Sequence, residues 1–190
     1  FMENNKELTV PGLEIKYACI IRDPRAVFNS QLKASRDFPN LSFYKNPLVA
    51  AYTWLYYYNK AKSFSGNSNF YTVYYEQLIE KFKEEFSALM KFMGLNVNSN
   101  FNIKKGKLFK LLSETEKSLH SKINDEPDIL RIDAWKKELK PLMIRLIDDY
   151  TLKKHHVPEY KRNNPEVFFL IRLLAVIYYK MRIVLKVDKY

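Results

Sequence analysis

The sequence predicts an α/β protein in which helices flank a parallel sheet. Two short apolar runs of strand-forming residues, Ile15–Ile21 and Phe70–Tyr75, are each followed at once by a segment with helical spacing of apolar residues. The mostly apolar run Ile15–Ile21 fits a strand buried on both faces of a parallel sheet. Two strand-then-helix units in succession therefore favour an α/β sandwich.

The first unit passes from its strand into a helix through a very short connection. Pro24 suits the first turn of a helix, and Asp23 just before it can accept hydrogen bonds from the free N–H groups of that turn. After a loop at Asp37–Pro47, the residues Leu48–Phe64 predict a long helix rich in aromatic side chains.

The second unit begins after a turn signal at Ser65–Asn69. Its strand, Phe70–Tyr75, leads into Glu76–Met93, where apolar residues follow the helical period. Gly94 is a suitable C-terminal cap, so we expect a single helix over this stretch.

The remainder of the chain carries weaker signals. Leu108–Lys117 predicts a short helix, and Trp135–Tyr150 predicts a longer one in which Pro141 marks a start or a kink. Asp148 and Asp149 at its end are interpreted as surface charge. Pro165–Val187 predicts an apolar terminal helix, whose uncharged runs are shorter than the roughly 18 residues of a membrane span. We expect it to pack on the protein or to lie at a membrane interface.

Length and composition indicate one globular domain over residues 1–190 and exclude some chemistries. A single cysteine, Cys19, excludes an internal disulfide, and with only three histidines beside it a Cys/His metal cage is not expected, so no metal site is predicted. The net charge of +11 favours an anionic partner. Most of this excess lies in residues 101–190, which carry 20 basic and 12 acidic residues, against 12 and 9 in residues 1–100.

The segment Arg22–Ser30 is the strongest candidate for a binding site. Arg22 ends the first strand and Ser30 lies in the helix that follows, so both are near the strand end where open α/β sheets bind ligands. An arginine fork with a hydroxyl suits a terminal phosphate. The alternative is that Arg22 stabilises the sheet edge through Asp23 and that Ser30 is an ordinary surface residue.

The segment RDPRAVFNS resembles the 3′-phosphate-binding motif of sulfotransferases that use 3′-phosphoadenosine-5′-phosphosulfate (PAPS). In that motif an arginine at the strand end is followed eight positions later by a serine, as Arg22 is by Ser30. The RDPRA sequence is more similar to the motif of the Golgi carbohydrate sulfotransferases than to that of the cytosolic phenol and steroid enzymes. The resemblance covers roughly residues 15–150 and implies a partial three-layer, P-loop-like fold.

Two further stretches are similar to the same family. FYTVYYEQL resembles its second strand and YEDL-type turn, which implies that Tyr75 lies against the adenine and that Glu76 is an acidic cap of the next helix. RIDAWKKEL resembles a late stretch of the family and brings Arg131 and Trp135 into register. Tyr75 could equally be an aromatic residue packed at a strand end, and Trp135 a packing anchor.

The resemblance also defines what this chain lacks. The family's Gly/Ser-rich loop for the 5′-phosphosulfate and its catalytic base are expected upstream of Arg22, where only 21 residues precede it here. The catalytic residues are therefore unknown. We expect this chain to correspond to the C-terminal portion of a sulfotransferase and not to catalyse on its own.

The implied reaction of the whole enzyme is transfer of a sulfuryl group from PAPS to a hydroxyl of a glycan or glycosaminoglycan. The resemblance implies a Golgi lumen or membrane location, with the cytoplasm as the alternative. A noncatalytic module that binds a nucleotide or an acidic glycan is the competing hypothesis. Nucleic acid is not an expected partner, since no RNP-like strand, zinc finger or basic recognition helix is present. The sequence does not decide the oligomeric state or membrane contact.

Overall fold

The computed structural model describes residues 12, 14–95, 117, 128–153, 157, 159–161 and 169–185. The strands are β1 (Tyr17–Ile21) and β2 (Phe70–Tyr74), and the helices are α1 (Pro24–Asp37), α2 (Pro47–Ser63), α3 (Tyr75–Glu80), α4 (Phe82–Phe92), α5 (Trp135–Glu138), α6 (Pro141–Asp148) and α7 (Phe169–Val184). A 3-10 turn at Ile129–Arg131 precedes α5, and a π-helical turn at Asp149–Lys153 follows α6.

The described sheet consists of β1 and β2, which pair in parallel as the sequence predicts. The expected burial of the first strand on both faces is wrong: side chains alternate between the faces of a strand, and those of Ala18 and Ile20 are exposed. The register runs from Tyr17 opposite Phe70 to Ile21 opposite Tyr74, so the two strands end level with each other. Because β1 and β2 are parallel, the residues that follow them emerge at the same edge of the sheet. This edge carries the candidate site.

Helix α2 lies between two apolar clusters. On one side Ala50 joins residues of α1, α5 and α6 around Phe28, Trp135 and Ile147, all of which are buried. On the other side Leu55 packs with Ile21 of β1 and with Leu152 and Val157 near the π-helical turn, among others. The two clusters hold α1 and α2 against the carboxyl end of β1.

The connection between β1 and α1 forms as the sequence predicts. Pro24 occupies the first turn of α1, and the Asp23 side chain accepts a hydrogen bond of 2.8 Å from the backbone N–H of Arg25. This cap satisfies one of the free donors at the helix start and fixes the direction in which Arg22 leaves the strand.

The prediction of a single helix over Glu76–Met93 is wrong, because the segment is divided at Lys81 into α3 and α4. Lys81 has φ of −126° and ψ of 47°, outside the helical region. The break lets α4 pack on β2, where the rings of Phe92 and Tyr71 stack with centroids 5.2 Å apart. No Gly or Pro marks the break, so tertiary packing and not local propensity determines it.

The predicted helix over Trp135–Tyr150 is likewise divided, in this case by Pro141. Leu139 and Lys140 have extended backbone, with ψ of 143° and 140°, and Pro141 starts α6. Steric contact with a following proline disfavours helical backbone at the preceding residue, which accounts for the break. Of the two alternatives, a start and a kink, the start is confirmed.

The predicted apolar terminal helix is present as α7, and the remaining ends of Pro165–Val187 lie outside the described residues. Only Ala175 of α7 is buried. Among the described helices, none combines the length and the apolar character that crossing a membrane requires. The predicted helix at Leu108–Lys117 falls outside the described residues, apart from Lys117.

Candidate anion-binding site at the strand edge

Arg22 and Tyr75, which follow β1 and β2, meet at the carboxyl edge of the sheet. The guanidinium carbon of Arg22 lies 4.2 Å from the centroid of the Tyr75 ring. This contact arises because the preceding residues, Ile21 and Tyr74, are paired in register. The ring quadrupole attracts the cation and limits the directions in which the guanidinium can point.

The guanidinium of Arg22 retains hydrogen-bond donors that its described neighbours do not satisfy. Its Nη2 approaches the backbone oxygen of Arg131 at 3.4 Å, which is a long contact for a hydrogen bond. Its Nε is buried and has no hydrogen-bond partner among the described residues. Because the Nε is out of reach of solvent, an anion would meet the guanidinium at its exposed Nη2 end.

The backbone of Arg22 is fixed independently of its side chain. The indole N–H of Trp54 in α2 donates to the backbone oxygen of Arg22 at 2.8 Å. Trp54 also stacks on Tyr58, with ring centroids 5.0 Å apart. A substitution of the Arg22 side chain therefore leaves the anchoring of this strand end in place.

Ser30 lies on α1 and is exposed. It follows Val27 by three positions, so the two side chains are neighbours on the helix surface. Val27 lines a cavity together with Arg22, whereas Ser30 does not line it. No described hydrogen bond links Ser30 to Arg22 or Tyr75, so the structure brings two of the three predicted site residues into contact.

The cavity beside Arg22 has a volume of about 280 Å³ and is bounded by β1, α1 and α2. Its aromatic wall is formed by Trp54, Tyr57 and Tyr58 of α2, among others. Gln31 of α1 lines it as well, and its buried Oε1 has no hydrogen-bond partner among the described residues. Arg22 and Gln31 therefore both line this cavity, although the Nε of Arg22 and the Oε1 of Gln31 are themselves buried.

Glu76 connects the two strand ends in a way the sequence analysis did not predict. Its Oε1 accepts a hydrogen bond of 2.9 Å from the backbone N–H of Asp23, and its Oε2 accepts one of 3.0 Å from the hydroxyl of Tyr160. Glu76 does lie in the first turn of α3, but its carboxylate reaches across to the start of α1. The interpretation of Glu76 as a cap of its own helix is thus incomplete.

Arg25, the second arginine of the RDPRA segment, has a structural role in the fold. It is buried, and it bonds to Asp23 at 2.5 and 2.8 Å and to Asp148 at 3.1 Å. Its guanidinium carbon also lies 4.0 Å from the centroid of the Trp135 ring. Burial by itself lowers the pKa of Arg25, but the hydrogen bonds and charges of Asp23 and Asp148 outweigh it and the pKa is raised.

The contacts of Arg25 bear on the sequence interpretations of Asp148 and Trp135. Asp148 has an exposed fraction of 0% and is an ion-pair partner of Arg25, so its interpretation as surface charge is wrong. Trp135 is 2% exposed and belongs to the apolar cluster around Phe28, which favours the packing role over contact with a cofactor. The adjacent Asp149 pairs with Arg145 and Arg172.

A second polar cluster fastens residues 159–161 to the sheet. The Glu159 carboxylate accepts hydrogen bonds from the hydroxyls of Tyr58 and Tyr74, at 2.6 and 3.1 Å, and from the ammonium of Lys62 at 3.1 Å. Burial raises the pKa of Glu159, but these hydrogen bonds outweigh it, and the pKa lies below its ordinary value. The pKa of Tyr58 is raised by burial and by the neighbouring Glu159.

The fold and site together define an α/β protein with an arginine, Arg22, at the carboxyl edge of a parallel sheet. Comparison with models of protein families identifies the class of protein: the model of the sulfotransferase domain matches residues 9–157. The chain belongs to the sulfotransferase family. The curated proteins and the solved structures with which the chain was compared gave no match.

Proposed function

We propose that the protein containing this chain transfers a sulfuryl group from PAPS to a hydroxyl of a carbohydrate. Membership of the sulfotransferase family supports sulfuryl transfer in general. The observation that carries the finer proposal is the contact of the Arg22 guanidinium with the Tyr75 ring at the carboxyl edge of the sheet, where the exposed Nη2 has a long hydrogen bond of 3.4 Å to the backbone oxygen of Arg131. This edge is where α/β proteins bind phosphate-bearing ligands.

The residues present at this edge fit the 3′-phosphate end of PAPS. Arg22 offers a charged planar donor group, which suits a phosphate because two N–H groups can bond two oxygens. Ser30, exposed on α1, offers a hydroxyl without a described hydrogen bond. Tyr75 would hold the guanidinium from one side and present its ring to the adenine.

The roles of these residues are binding and orientation. PAPS supplies the activated sulfuryl group. Arg22 and Ser30 would hold the end of the molecule remote from the reaction, so their effect on rate comes from position and not from proton transfer. The residues that bind the 5′-phosphosulfate and remove the proton of the acceptor are not assigned among the described residues.

The proposals for the acceptor and the location rest on the sequence of the RDPRA motif and on the net charge of the chain. The RDPRA segment is closer to the carbohydrate sulfotransferases, which implies a glycan or glycosaminoglycan acceptor and a Golgi lumen or membrane location. A chain of net charge +11 attracts an acidic polysaccharide over long range, which is consistent with such an acceptor.

Radiolabelled PAPS and two acceptor classes test this proposal on the natural protein that carries the chain. We expect label in chemically desulfated glycosaminoglycan and none in a simple phenol. Arg22→Ala should reduce the transfer at limiting PAPS, whereas Arg36→Ala, which removes the same charge from an exposed position in α1, should not. Label in the phenol alone would contradict the carbohydrate acceptor. Nucleotide binding without transfer to either acceptor would favour the noncatalytic module.

A further inference from the structure

Helix α7 presents an unusual distribution of apolar and charged residues. Its inward side carries Arg172, Ala175 and Tyr179, which are buried or half-buried. Its outward side is apolar over the whole length of the helix, with exposed side chains at Leu170, Leu173, Leu174, Ile177, Tyr178, Met181 and Val184. An ordinary surface helix has the opposite arrangement, with its apolar stripe towards the core.

The inward side of α7 is fixed to the protein by polar contacts. Arg172 pairs with Asp149 at 3.1 Å, and the backbone oxygen of Tyr179 accepts a hydrogen bond of 3.1 Å from the Asn46 amide. Asn46 is 1% exposed and also caps α2. These contacts hold α7 lengthwise against the protein, so the apolar side cannot turn inward without breaking them.

The exposed apolar surface is concentrated at this place. Of the twenty large hydrophobic residues that are exposed in the described part of the chain, eleven lie within residues 169–185. A groove of about 910 Å³ between α2 and α7 lies on the other, inward side of the helix, where Arg172, Val176 and Ile183 line it, so it is separate from this surface. Contiguous apolar surface on this scale marks a site of contact with an apolar partner.

Charge indicates what kind of partner covers this surface. Helix α7 has no acidic residue, and Lys180 is exposed beside the apolar side chains. Arg182 lies close to the same surface, with its Nη1 donating to the hydroxyl of Tyr178 at 2.9 Å. A surface that is apolar in the middle with cations and tyrosines at its margin suits the headgroup region of an anionic bilayer.

A second copy of the chain fits the surface less well. Each copy carries a net charge of +11, so two copies brought together along α7 would repel each other. Anionic headgroups would instead attract Lys180 and Arg182 while the acyl region takes up the side chains of Leu174 and Ile177.

We propose that the outward side of α7 is a membrane-docking surface, which rests on the interface of a bilayer containing anionic lipid. The helix lies along the membrane surface, with Arg172 and Tyr179 towards the protein and Leu174, Ile177 and Met181 towards the lipid. This surface is independent of the nucleotide-binding residues at the sheet edge, so its test does not depend on the sulfotransferase reaction.

Flotation with lipid vesicles tests this surface on the full chain. Vesicles of phosphatidylcholine with phosphatidylserine are compared with vesicles of phosphatidylcholine alone. We expect the chain to float with the anionic vesicles, and the bound fraction to fall as salt is raised. The double variant Leu174→Glu/Ile177→Glu should lower the affinity for anionic vesicles by roughly tenfold or more, because it removes two apolar contacts and adds two negative charges.

The matched control is Leu41→Glu/Leu130→Glu, which makes the same charge change at two other exposed leucines. This control should bind anionic vesicles within about twofold of the unsubstituted chain. All four positions are exposed, so both variants should fold, which circular dichroism checks. Equal loss in the two variants would overturn the proposal, because net charge alone would then account for binding.

Sedimentation without lipid separates membrane docking from self-association. We expect the unsubstituted chain to sediment as a monomer at low micromolar concentration. A stable dimer that Leu174→Glu/Ile177→Glu converts to a monomer, together with no binding to anionic vesicles, would overturn membrane docking and assign the surface to a second copy.

Discussion

The guanidinium of Arg22 lies over the ring of Tyr75, at 4.2 Å from its centroid, although the two residues are 53 positions apart in the chain. Parallel pairing of β1 with β2 brings them together, since Ile21 and Tyr74 are partners in the register. The contact joins the two family motifs into one site. It also leaves the exposed Nη2 of Arg22 with a long contact of 3.4 Å to the backbone oxygen of Arg131, so this donor is available to a bound phosphate.

Replacing Tyr75 tests whether its ring orients Arg22. Tyr75→Ala removes the stacking surface and should weaken binding of 3′-phosphoadenosine-5′-phosphate by roughly tenfold, given the usual strength of a cation–π contact. Tyr75→Phe keeps the ring and should bind within about twofold of the unsubstituted chain. Isothermal titration calorimetry measures both. An equal loss in the two variants would show that the hydroxyl and not the ring is required.

The sequence predicted this site well at the level of elements. The strand Ile15–Ile21, the turn through Asp23 and the start of α1 at Pro24 are local features, set by apolar runs and by capping chemistry, and all three are confirmed within two residues. The parallel pairing is confirmed, whereas the burial on both faces expected of the first strand is wrong, since Ile20 is 60% exposed.

Features that depend on distant contacts could not be predicted in this way. The break at Lys81 serves the packing of Phe92 on Tyr71, and no local signal marks it. Asp148 lies 123 positions from Arg25, so its burial as an ion-pair partner is visible only in the fold. The same holds for Glu76, whose carboxylate bonds the backbone of Asp23.

Arg25 should be far more important for stability than its exposed neighbours in α1. Arg25→Met leaves the carboxylates of Asp23 and Asp148 without their buried cation and should lower the free energy of unfolding by about 3–5 kcal/mol. Arg36→Met makes the same chemical change at an exposed position and should cost less than about 0.5 kcal/mol. Urea unfolding followed by circular dichroism measures both. Equal stabilities of the two variants would contradict a structural role for Arg25.

Glu159 should make the stability depend on pH in the acid range. Its pKa in the fold lies below the ordinary 4.5, so the ionised carboxylate stabilises the folded state fully above that value. This contribution is lost as the pH falls through the lowered pKa. As the pH is lowered from about 6 to about 3, the free energy of unfolding of Glu159→Gln should therefore fall less than that of the unsubstituted chain.

The control for Glu159 is Glu84→Gln, at an exposed position in α4. Its pH profile should run parallel to that of the unsubstituted chain, because an exposed carboxylate contributes little to the difference between folded and unfolded states. The profiles are measured by urea unfolding at each pH. If Glu159→Gln and the unsubstituted chain gave parallel profiles, the hydrogen bonds from Tyr58, Tyr74 and Lys62 would not hold the ionised form.

The central claim is that Arg22 binds a 3′-phosphate, and one calorimetric comparison tests it most directly. The chain and its Arg22→Ala and Arg36→Ala variants are titrated with 3′-phosphoadenosine-5′-phosphate and with adenosine 5′-phosphate, which lacks the 3′-phosphate. The unsubstituted chain and Arg36→Ala should prefer the first nucleotide by roughly 10- to 100-fold, as a charge-assisted hydrogen bond predicts. Arg22→Ala should bind the two nucleotides alike. An undiminished preference in Arg22→Ala, or no binding of either nucleotide by the folded unsubstituted chain, would contradict the account.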